Sequence, residues 1–254
     1  MIEVNGLTKH YGDVVAVEDL SFGIQAGEIL GLVGPNGAGK TTTLRCLVGI
    51  IPPTRGSVRI GGHDLFMEPV ESKRLLAFIP DEPKLFDYLT VSEHLKFVSR
   101  LHGIRDSEAK AAELLARLEL EGREGSLPGE LSRGMKQKLA IACGLIHEPK
   151  AIILDEPLTG LDPGAIRKMK ETIASRARAG AAVIVSSHLL FLVEELCGRV
   201  LILSHGRKIL HGTREEIARS VPELSADASL EEIFLHVTDA RNAAAASDDG
   251  NAKA

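Results

Sequence analysis

Cysteine is scarce in this chain of 254 residues. The three cysteines lie far apart, and neither a CxxC pair nor a neighbouring histidine cluster accompanies them, which argues against a disulfide framework and against a zinc site. They are Cys46, Cys143 and Cys197. We therefore expect the protein to work in a reducing compartment.

The sequence also lacks a long apolar run. Its uncharged apolar stretches fall short of the roughly 18 residues that a membrane-spanning helix requires. The opening segment MIEVNGLTKHYG lacks the apolar core of a secretory leader. We expect neither a spanning helix nor a leader, and a cytoplasmic location. If a membrane is involved, another chain spans it.

A basic excess is missing as well. The chain has 30 Lys and Arg against 35 Asp and Glu, a formal net charge of −5. Because nucleic-acid-binding proteins usually carry a basic excess, no nucleic-acid partner is expected. The remaining composition, 44% apolar and 26% charged, is close to the globular average and excludes disordered, collagen-like and low-complexity classes.

The chain is predicted to form an α/β fold. Between residues 2 and 33, short apolar runs separated by Gly, Asp or Asn indicate strands and tight turns. From about residue 85 to 149, apolar residues at spacings of three and four indicate a helical insertion, with Ser107 as an N-cap. After Lys150, strand-like and helix-like segments alternate, as in a parallel sheet covered by helices.

Domain organisation follows from this layout. No internal repeat is visible, so we assign residues 1–238 to a single domain with the helical segment inserted in it. The closing stretch AAAASDDGNAKA offers nothing with which to pack. We expect residues 239–254 to be a disordered tail.

A phosphate-binding loop is indicated between a strand-like and a helix-like segment. GPNGAGKT matches the pattern GxxxxGK[ST] and lies between EILGLV and TTTLRCLVG, the two flanks that such a loop requires. Its amides and the helix N-terminus point at the anion, Lys40 bridges the β and γ phosphates, and the Thr41 hydroxyl ligates Mg²⁺. The predicted nucleotide contacts are Gly34, Pro35, Asn36, Gly37, Ala38, Gly39, Lys40, Thr41 and Thr42.

A second motif, AIILDEP, places two acids at the end of a buried strand. Asp155 is expected to hold Mg²⁺, usually through water, and Glu156 to orient and deprotonate the attacking water. Alone, such a pair is more often the start of a solvated loop. Its position after the glycine-rich loop favours a nucleoside triphosphatase, and the lack of an Asn-Lys pair argues against a small GTPase.

The segment LSRGM, Leu131 to Met135, narrows the choice of family. With it, the sequence resembles the ABC ATPase family, whose LSGGQ-like signature lies in this order between the phosphate loop and the acidic pair. The resemblance extends from residue 2 to about residue 237. It implies a P-loop NTPase core with a mainly parallel sheet, an N-terminal antiparallel β subdomain and an inserted α-helical subdomain. It also implies an ATPase that uses ATP and Mg²⁺.

The resemblance implies two nucleotide-binding subunits, identical or different, that sandwich two ATP molecules. Carried over, Ser132 and Gly134 donate hydrogen bonds at a helix N-terminus to the ATP held by the partner. The alternative for this segment is a helix start capped by Ser132 alone. Integral membrane permease subunits are the other implied partners, which places the protein peripherally on the cytoplasmic face of the membrane.

Three further positions match the family's pattern. Tyr11 in KHYGD resembles the aromatic residue that stacks on adenine, and the alternative is a half-buried strand tyrosine. His188 in VIVSSHLL resembles the histidine that contacts the γ-phosphate and helps to hold the attacking water. Asp162 in LTGLDP resembles the loop that crosses the dimer interface. It is also placed to cap the helix that opens at Pro163, and both roles are compatible.

Two departures from the family's pattern stand out. Asp81 replaces the usual glutamine in AFIPDEPKLFDYLT. A carboxylate has no amide donor but still accepts from metal-bound water, so Asp81 is a candidate Mg²⁺ contact. The alternative is an acidic turn that serves only a membrane partner. In the signature, Arg133 and Met135 replace the usual Gly and Gln. These changes resemble the branch that serves drug, lipid or polysaccharide exporters.

We therefore predict an ATPase subunit that dimerises on ATP and drives a separate membrane-spanning exporter, which it contacts near residues 81–88. A mechanical ATPase of DNA repair or translation is one alternative. The insertion of about 65 residues leaves no room for the long coiled coil of that class. A regulatory ATPase that remodels a membrane or nucleic-acid complex without moving a solute is the other alternative, and the sequence leaves it open.

Overall fold

The computed structural model describes residues 1–225 and 228–238, so the tail predicted for residues 239–254 lies outside the described residues. Its framework consists of one four-stranded and one six-stranded sheet. The strands, in chain order, are β1 (Ile2–Tyr11), β2 (Val14–Ile24), β3 (Ile29–Val33), β4 (Arg55–Ile60), β5 (His63–Asp64), β6 (Leu76–Ile79), β7 (Ala151–Asp155), β8 (Ala182–Ser186), β9 (Arg199–Ser204) and β10 (Arg207–Gly212).

The smaller sheet is antiparallel and has the strand order β2-β1-β4-β5. In β1, Ile2 and Val4 are buried whereas Glu3 and Asn5 are exposed, because successive side chains of a strand point to opposite faces. The sheet therefore has one face on the core. This is the N-terminal β-rich segment that the apolar runs predicted.

The larger sheet has the strand order β10-β9-β3-β8-β7-β6. All of its pairings are parallel except that of β10 with β9. Every residue of β7 and β8 is buried, as expected for parallel strands covered on both faces. The carboxyl ends of parallel strands meet at one edge of a sheet, which is where ligands bind in open α/β folds. The last residue of β7 and the segments after β3, β7 and β8 include the predicted phosphate-site residues.

Helices cover both faces of this sheet, and three of them lie between β6 and β7. In chain order they are α1 (Lys40–Leu47), α2 (Pro69–Arg74), α3 (Val91–Leu101), α4 (Ser107–Arg117), α5 (Arg133–Leu145), α6 (Pro163–Arg178), α7 (Leu190–Leu196) and α8 (Arg214–Arg219). A short 3₁₀ turn, Pro128–Glu130, precedes α5, and residues 230–238 are helical. In the part of the chain that the structure describes, no helix is both long and apolar enough to span a bilayer.

Local chemistry explains where several helices begin. Thr90 and Glu93 form a reciprocal capping box at the start of α3, in which each side chain accepts from the other residue's amide. The prediction that Ser107 caps α4 is wrong. Ser107 is the first residue of the helix, and the N-cap is Asp106, which has φ of 54°. Asp tolerates this left-handed conformation better than most residues do.

Apolar side chains form three buried clusters. Leu20 of β2 and Ile153 of β7 belong to the cluster between the two sheets. Ile152, the neighbour of Ile153, enters a second cluster with Leu139 of α5 on the opposite face. A third cluster includes Ile233. Two adjacent residues of one strand thus help to build two separate cores, which fixes the sheet between them.

Candidate phosphate and signature sites

The predicted phosphate loop connects the end of β3 to the start of α1, as its flanking sequences required. Gly39 is the N-cap of α1 and has φ of 99°, a region that L side chains rarely adopt. A side-chain carbon added to Gly39 would also lie 2.6 Å from the carbonyl oxygen of Ala16. Both the conformation and the packing thus require glycine at the helix N-terminus, where the backbone amides are free to meet an anion.

Lys40 lies across this loop. Its Nζ donates to the carbonyl oxygen of Gly34 at 2.6 Å and to that of Pro35 at 3.2 Å. Burial lowers the pKa of the Lys40 ammonium, while the negative charges of Glu156 and Asp155 act in the opposite direction. The lysine of the loop and the acidic pair therefore form one electrostatic unit.

Asp155 is the last residue of β7 and is 8% exposed. Its Oδ1 accepts from Ser186 Oγ at 2.5 Å, because the parallel register of β7 and β8 places Ser186 directly beside it. Ser186 carries no signal in the sequence beyond its position at the end of an apolar run, and sequence reasoning missed it. A buried carboxylate with one hydroxyl donor retains oxygen lone pairs for a further ligand.

Glu156 leaves the strand in a left-handed conformation, with φ of 49°. Its amide donates to the carbonyl oxygen of Ser186 at 3.1 Å, which fixes this turn. Its Oε2 lies 2.8 Å from Nδ1 of His188 and 3.5 Å from the Thr159 hydroxyl. An ionised carboxylate only accepts, so Nδ1 of His188 carries the proton in this contact. The structure thus brings together the two residues to which the sequence assigned catalysis.

The predicted signature residues lie at helix starts. Ser132 caps α5, where its Oγ accepts from the Met135 amide at 3.3 Å, and Gly134 is in the first turn. Asp162 caps α6 by accepting from the Ala165 amide at 3.0 Å. Both cap assignments of the sequence analysis are confirmed. A cavity of about 350 Å³ lies between the two helix starts, and its lining includes Ser132, Arg133, Gly134, Gly160, Leu161 and Asp162.

These residues fall into two groups within one chain. The phosphate-site residues are those of the loop 34–42 together with Asp155, Glu156 and His188. The signature-site residues are Ser132, Gly134 and Asp162. Between the two groups, no side-chain hydrogen bond or ion pair occurs in the described ranges 1–225 and 228–238. The phosphate-site and signature-site residues, which the family's pattern assigns to one nucleotide, are thus not connected by side-chain bonds within a single copy.

Within the described residues, neither Tyr11 nor Asp81 forms a side-chain hydrogen bond or ion pair with the phosphate-site residues. Tyr11 ends β1 with its side chain 47% exposed and with Nζ of Lys9 5.2 Å from the ring centroid, so both interpretations of this tyrosine remain predictions. Asp81 follows β6 and accepts from Arg133 Nη2 at 3.4 Å. This contact joins the two departures from the family's pattern, which sequence reasoning treated separately.

The oxygen-bearing side chains near the phosphate loop suit a metal ion that binds together with a phosphate. In the described part of the chain, no group of three or more His, Cys, Asp or Glu side chains is arranged to hold an ion. Mg²⁺ is usually bound by one or two carboxylates together with substrate phosphates and water, rather than in an all-protein cage. Asp155, with its unshared oxygen, and Thr41, in the first turn of α1, are compatible with that arrangement.

Comparisons with known proteins agree with this geometry. Residues 17–159 match the family model described as ABC transporter. The chain is 33% identical to the ABC-type transporter ATP-binding protein EcsA of Bacillus subtilis, over 94% of this chain and 96% of that protein. It is 37% identical to the Nod factor export ATP-binding protein I of Burkholderia orbicola, over 86% and 73% of the two chains.

A solved structure described as the ATP-binding subunit of an ABC transporter has a similar fold. The TM-score is 0.90 and the identity 37%, and the match covers 94% of this chain and 99% of the other. The antiparallel sheet, the mainly parallel sheet and the helices between β6 and β7 therefore form a known architecture.

Proposed function

This chain belongs to the ABC transporter family as an ATP-binding subunit, and we propose that it hydrolyses ATP to drive a separate membrane-spanning exporter. Export is the direction supported by the relative named for Nod factor export. The protein would act on the cytoplasmic face of the membrane, where ATP is available, with permease subunits that cross the bilayer.

The contact between Glu156 and His188 carries this proposal. Glu156 is the acid closest in sequence to Asp155, its side chain is only 17% exposed, and His188 Nδ1 holds its Oε2 at 2.8 Å. A carboxylate fixed in this way can accept a proton from water as the water attacks the γ-phosphate, which yields ADP, phosphate and one proton. His188 orients the carboxylate, and Lys40 and the loop amides hold the phosphates in place.

Mg²⁺ is the metal that this site fits. Thr41 and Asp155 would hold it, since both offer the oxygen ligands that this ion prefers. When bound, it would supply neutralisation of the charge on the β- and γ-phosphate oxygens. Asp81 is a further candidate contact, and its carboxylate is also engaged by Arg133.

A dimer completes the proposed catalytic unit. Ser132, Gly134 and Asp162 line a cavity, and within the part of the chain that the structure describes none of them has a side-chain hydrogen bond or ion pair with the phosphate-site residues of the same copy. A second nucleotide-binding subunit, the same chain or a relative, would place its signature on the ATP held by the first. The N-termini of α5 and α6 would then face phosphate, which their dipoles favour.

The docking loop, residues 81–88, offers two exposed aromatic side chains to the membrane partner. Tyr88 is 92% exposed, and Phe86 is 56% exposed while it packs edge-on against Phe97 of α3, with ring centroids 5.4 Å apart. Aromatic side chains are enriched among the anchors of protein interfaces. A short helix of the permease would bury these rings.

The mechanical-ATPase alternative has less support. Three helices lie between β6 and β7: α3 has 11 residues, α4 has 11 and α5 has 13. They are too short for the sustained heptads that a long coiled coil requires. A regulatory ATPase that remodels a membrane complex shares every residue of this site, and the identity of the partner distinguishes it from an exporter subunit.

The variant Glu156→Gln tests the proposal. Loss of the base should abolish phosphate release while the phosphate contacts of the loop remain, so ATP should trap the protein as a dimer. Phosphate release is measured with the purified protein, and dimerisation by light scattering with and without Mg²⁺ and ATP. Glu171→Gln, which changes an exposed acid of α6, is the matched control and should behave as the parent.

The trapped dimer is then used as bait for detergent-solubilised native membranes, and the proteins that bind are identified. Recovery of a polytopic permease with an export substrate supports the proposal. Dimers that retain only soluble proteins or nucleic acid would support the mechanical alternative instead. Rapid hydrolysis by Glu156→Gln would remove Glu156 from its assigned role.

A further inference from the structure

Arg133 and Asp81 form an ion pair between two segments that are distant in sequence. Arg133 Nη2 lies 3.4 Å from Asp81 Oδ1. Arg133 is the first residue of α5, and Asp81 is the first residue of the docking loop. The pair therefore connects the surface proposed for the membrane partner to the helix start that carries Ser132 and Gly134.

A second contact on the same face of α5 reinforces this connection. Gln137 lies one turn after Arg133, is 3% exposed, and its Nε2 donates to the carbonyl oxygen of Pro80 at 3.4 Å. Pro80 directly precedes Asp81. The entrance to the docking loop is thus held to α5 at two successive turns, one contact buried and the other at the surface.

Arg133 also covers the loop that follows Glu156. A side-chain carbon added to Gly160 would lie 3.4 Å from Arg133 Nε and 3.5 Å from Arg133 Cδ. Gly160 stands between Thr159, whose hydroxyl is near the Glu156 carboxylate, and the N-cap Asp162. The Arg133 side chain therefore pairs with the docking loop and lies beside the loop that leads from the proposed base to α6.

This ion pair contributes little to the free energy of unfolding. The side chains of Arg133 and Asp81 are 62% and 44% exposed, and exposed ion pairs contribute little to the free energy of folding. The neighbouring acid Glu82 is 3.7 Å from Lys84 and is directed to a separate cation. The pair is therefore a local link between two surface segments and not a support of the fold.

We propose that Arg133 is a positioning residue that acts through its ion pair with Asp81. It couples the position of the docking loop to the signature segment, residues 131–135, and to the loop after Glu156. This inference rests on the proposed function. When the permease displaces the docking loop, Asp81 carries Arg133 with it, and the start of α5 reorients toward the ATP of the second subunit. The two departures from the family's pattern thus act as one unit.

Charge exchange tests the pair. Arg133→Asp creates like charges, Asp81→Arg does the same, and the double variant restores an ion pair with reversed polarity. Arg133→Lys keeps the charge, and Arg133→Gln removes it without repulsion. Thermal unfolding of each variant checks that it folds, and Arg133→Gln remains usable if a repelled variant does not.

The first measurement is a distance between spin labels in nucleotide-free protein. Lys84→Cys, an 88% exposed position, reports on the docking loop and Lys136→Cys reports on α5. The native thiols label slowly near neutral pH, because burial raises the pKa of Cys46 to about 11 and that of Cys143 and Cys197 to about 12. We expect a broad distance distribution for Arg133→Asp and for Arg133→Gln. We expect a narrow distribution for the double variant and for Arg133→Lys.

The second measurement is the ATP concentration at half-dimerisation, with Glu156→Gln present in every variant. We expect an increase of about tenfold for Arg133→Asp and recovery to within about twofold in the double variant, the range typical of directly coupled residues. ATP affinity of the monomer should stay unchanged in the Arg133 variants, since the phosphate loop is intact.

Two results would overturn the inference. One is an unchanged label distance in Arg133→Asp and Arg133→Gln, and the other is a broadened distance that the double variant does not restore. Because the distance is measured without ATP, it judges the ion pair independently of the proposed function. Failure of the Glu156→Gln parent itself to dimerise on ATP would count against the proposed function instead.

Discussion

The side chain of Lys40 is held by the loop that it serves. Its Nζ donates to the carbonyl oxygens of Gly34 and Pro35, which keeps the ammonium beside the loop. The loop thus supplies both the amides that attract phosphate and the carbonyls that position the cation. A phosphate that enters need only replace these two acceptors, so the lysine is already in place.

Lys40→Ala should weaken ATP binding rather than hydrolysis alone. Truncation of one partner of a buried, charge-assisted contact typically costs about 2–5 kcal/mol, which corresponds to an increase in Kd of about thirtyfold or more. Titration with a fluorescent ATP analogue measures this change. Lys96→Ala, an exposed lysine of α3, is the control, and equal affinities of the two variants would contradict the phosphate-loop assignment.

The residue chemistry of the site was partly predictable. The order of motifs predicted that Lys40, Asp155 and Glu156 act together, and the charges that influence the pKa of Lys40 are those two acids. Ser186 was not predictable, because its bond to Asp155 depends on the register between two strands. A serine after an apolar run has no distinguishing pattern until that register is known.

In β3, Gly31 has no room for a side chain. A side-chain carbon added to Gly31 would lie 2.2 Å from Val193 Cγ1 of α7 and 3.3 Å from Cys197 Sγ. Valine is rigid at χ1, so it cannot move aside at low cost. The absence of a side chain at Gly31 therefore sets how closely α7 approaches the centre of the sheet.

Gly31→Ala should destabilise the protein by about 1–3 kcal/mol, the usual cost of overpacking a core. Urea unfolding followed by circular dichroism measures the change. Gly198→Ala is the matched control, since no atom lies within 4 Å of its added carbon. Combination of Gly31→Ala with Val193→Ala should recover part of the loss, and additive destabilisation would show that the contact is not the cause.

Element types were easier to predict than their boundaries. The apolar run before Asp155 predicted a buried strand, and β7 is buried at every residue. The N-cap of α4 was wrong by one residue, because Asp106 adopts a left-handed conformation that its sequence neighbours do not indicate. The limits of the helical insertion, residues 85–149, and of the single domain, residues 1–238, stay predictions.

At the scale of the whole molecule, one exposed acid connects three helices. Glu119, which follows α4, pairs with Lys138 of α5 at 2.9 Å and with Lys168 of α6. Hydrogen bonds from Lys168 and then Lys138 lower the pKa of Glu119 to about 2. This acid thus ties the helices between β6 and β7 to a helix that covers the sheet.

Glu119→Gln should therefore destabilise the protein in a pH-dependent way. The pKa of Glu119 is lowered on folding, so its contribution is complete above the unfolded value of about 4.3 and is lost as the pH falls toward about 2. Urea midpoints of the parent and the variant, measured from pH 7 downward while both remain folded, should converge on acidification. Glu121→Gln serves as the control, and a difference independent of pH would argue against the ion pairs.

The strand order of the large sheet was beyond the sequence pattern. Alternating strands and helices predicted a mainly parallel sheet, but strands of similar apolar character are interchangeable in such a pattern. The structure places β3 between β8 and β9, in a neighbourhood that only long-range packing can select.

This central position of β3 has a consequence for synthesis on the ribosome. Ile29 pairs with Val183 and Leu30 with Arg199, so β3 and the phosphate loop after it emerge long before the strands that flank them. The closing of so long a loop is slow and is opposed by chain entropy. The nascent chain must therefore keep an apolar strand unpaired through most of its translation, a period in which chaperone binding would protect it from aggregation.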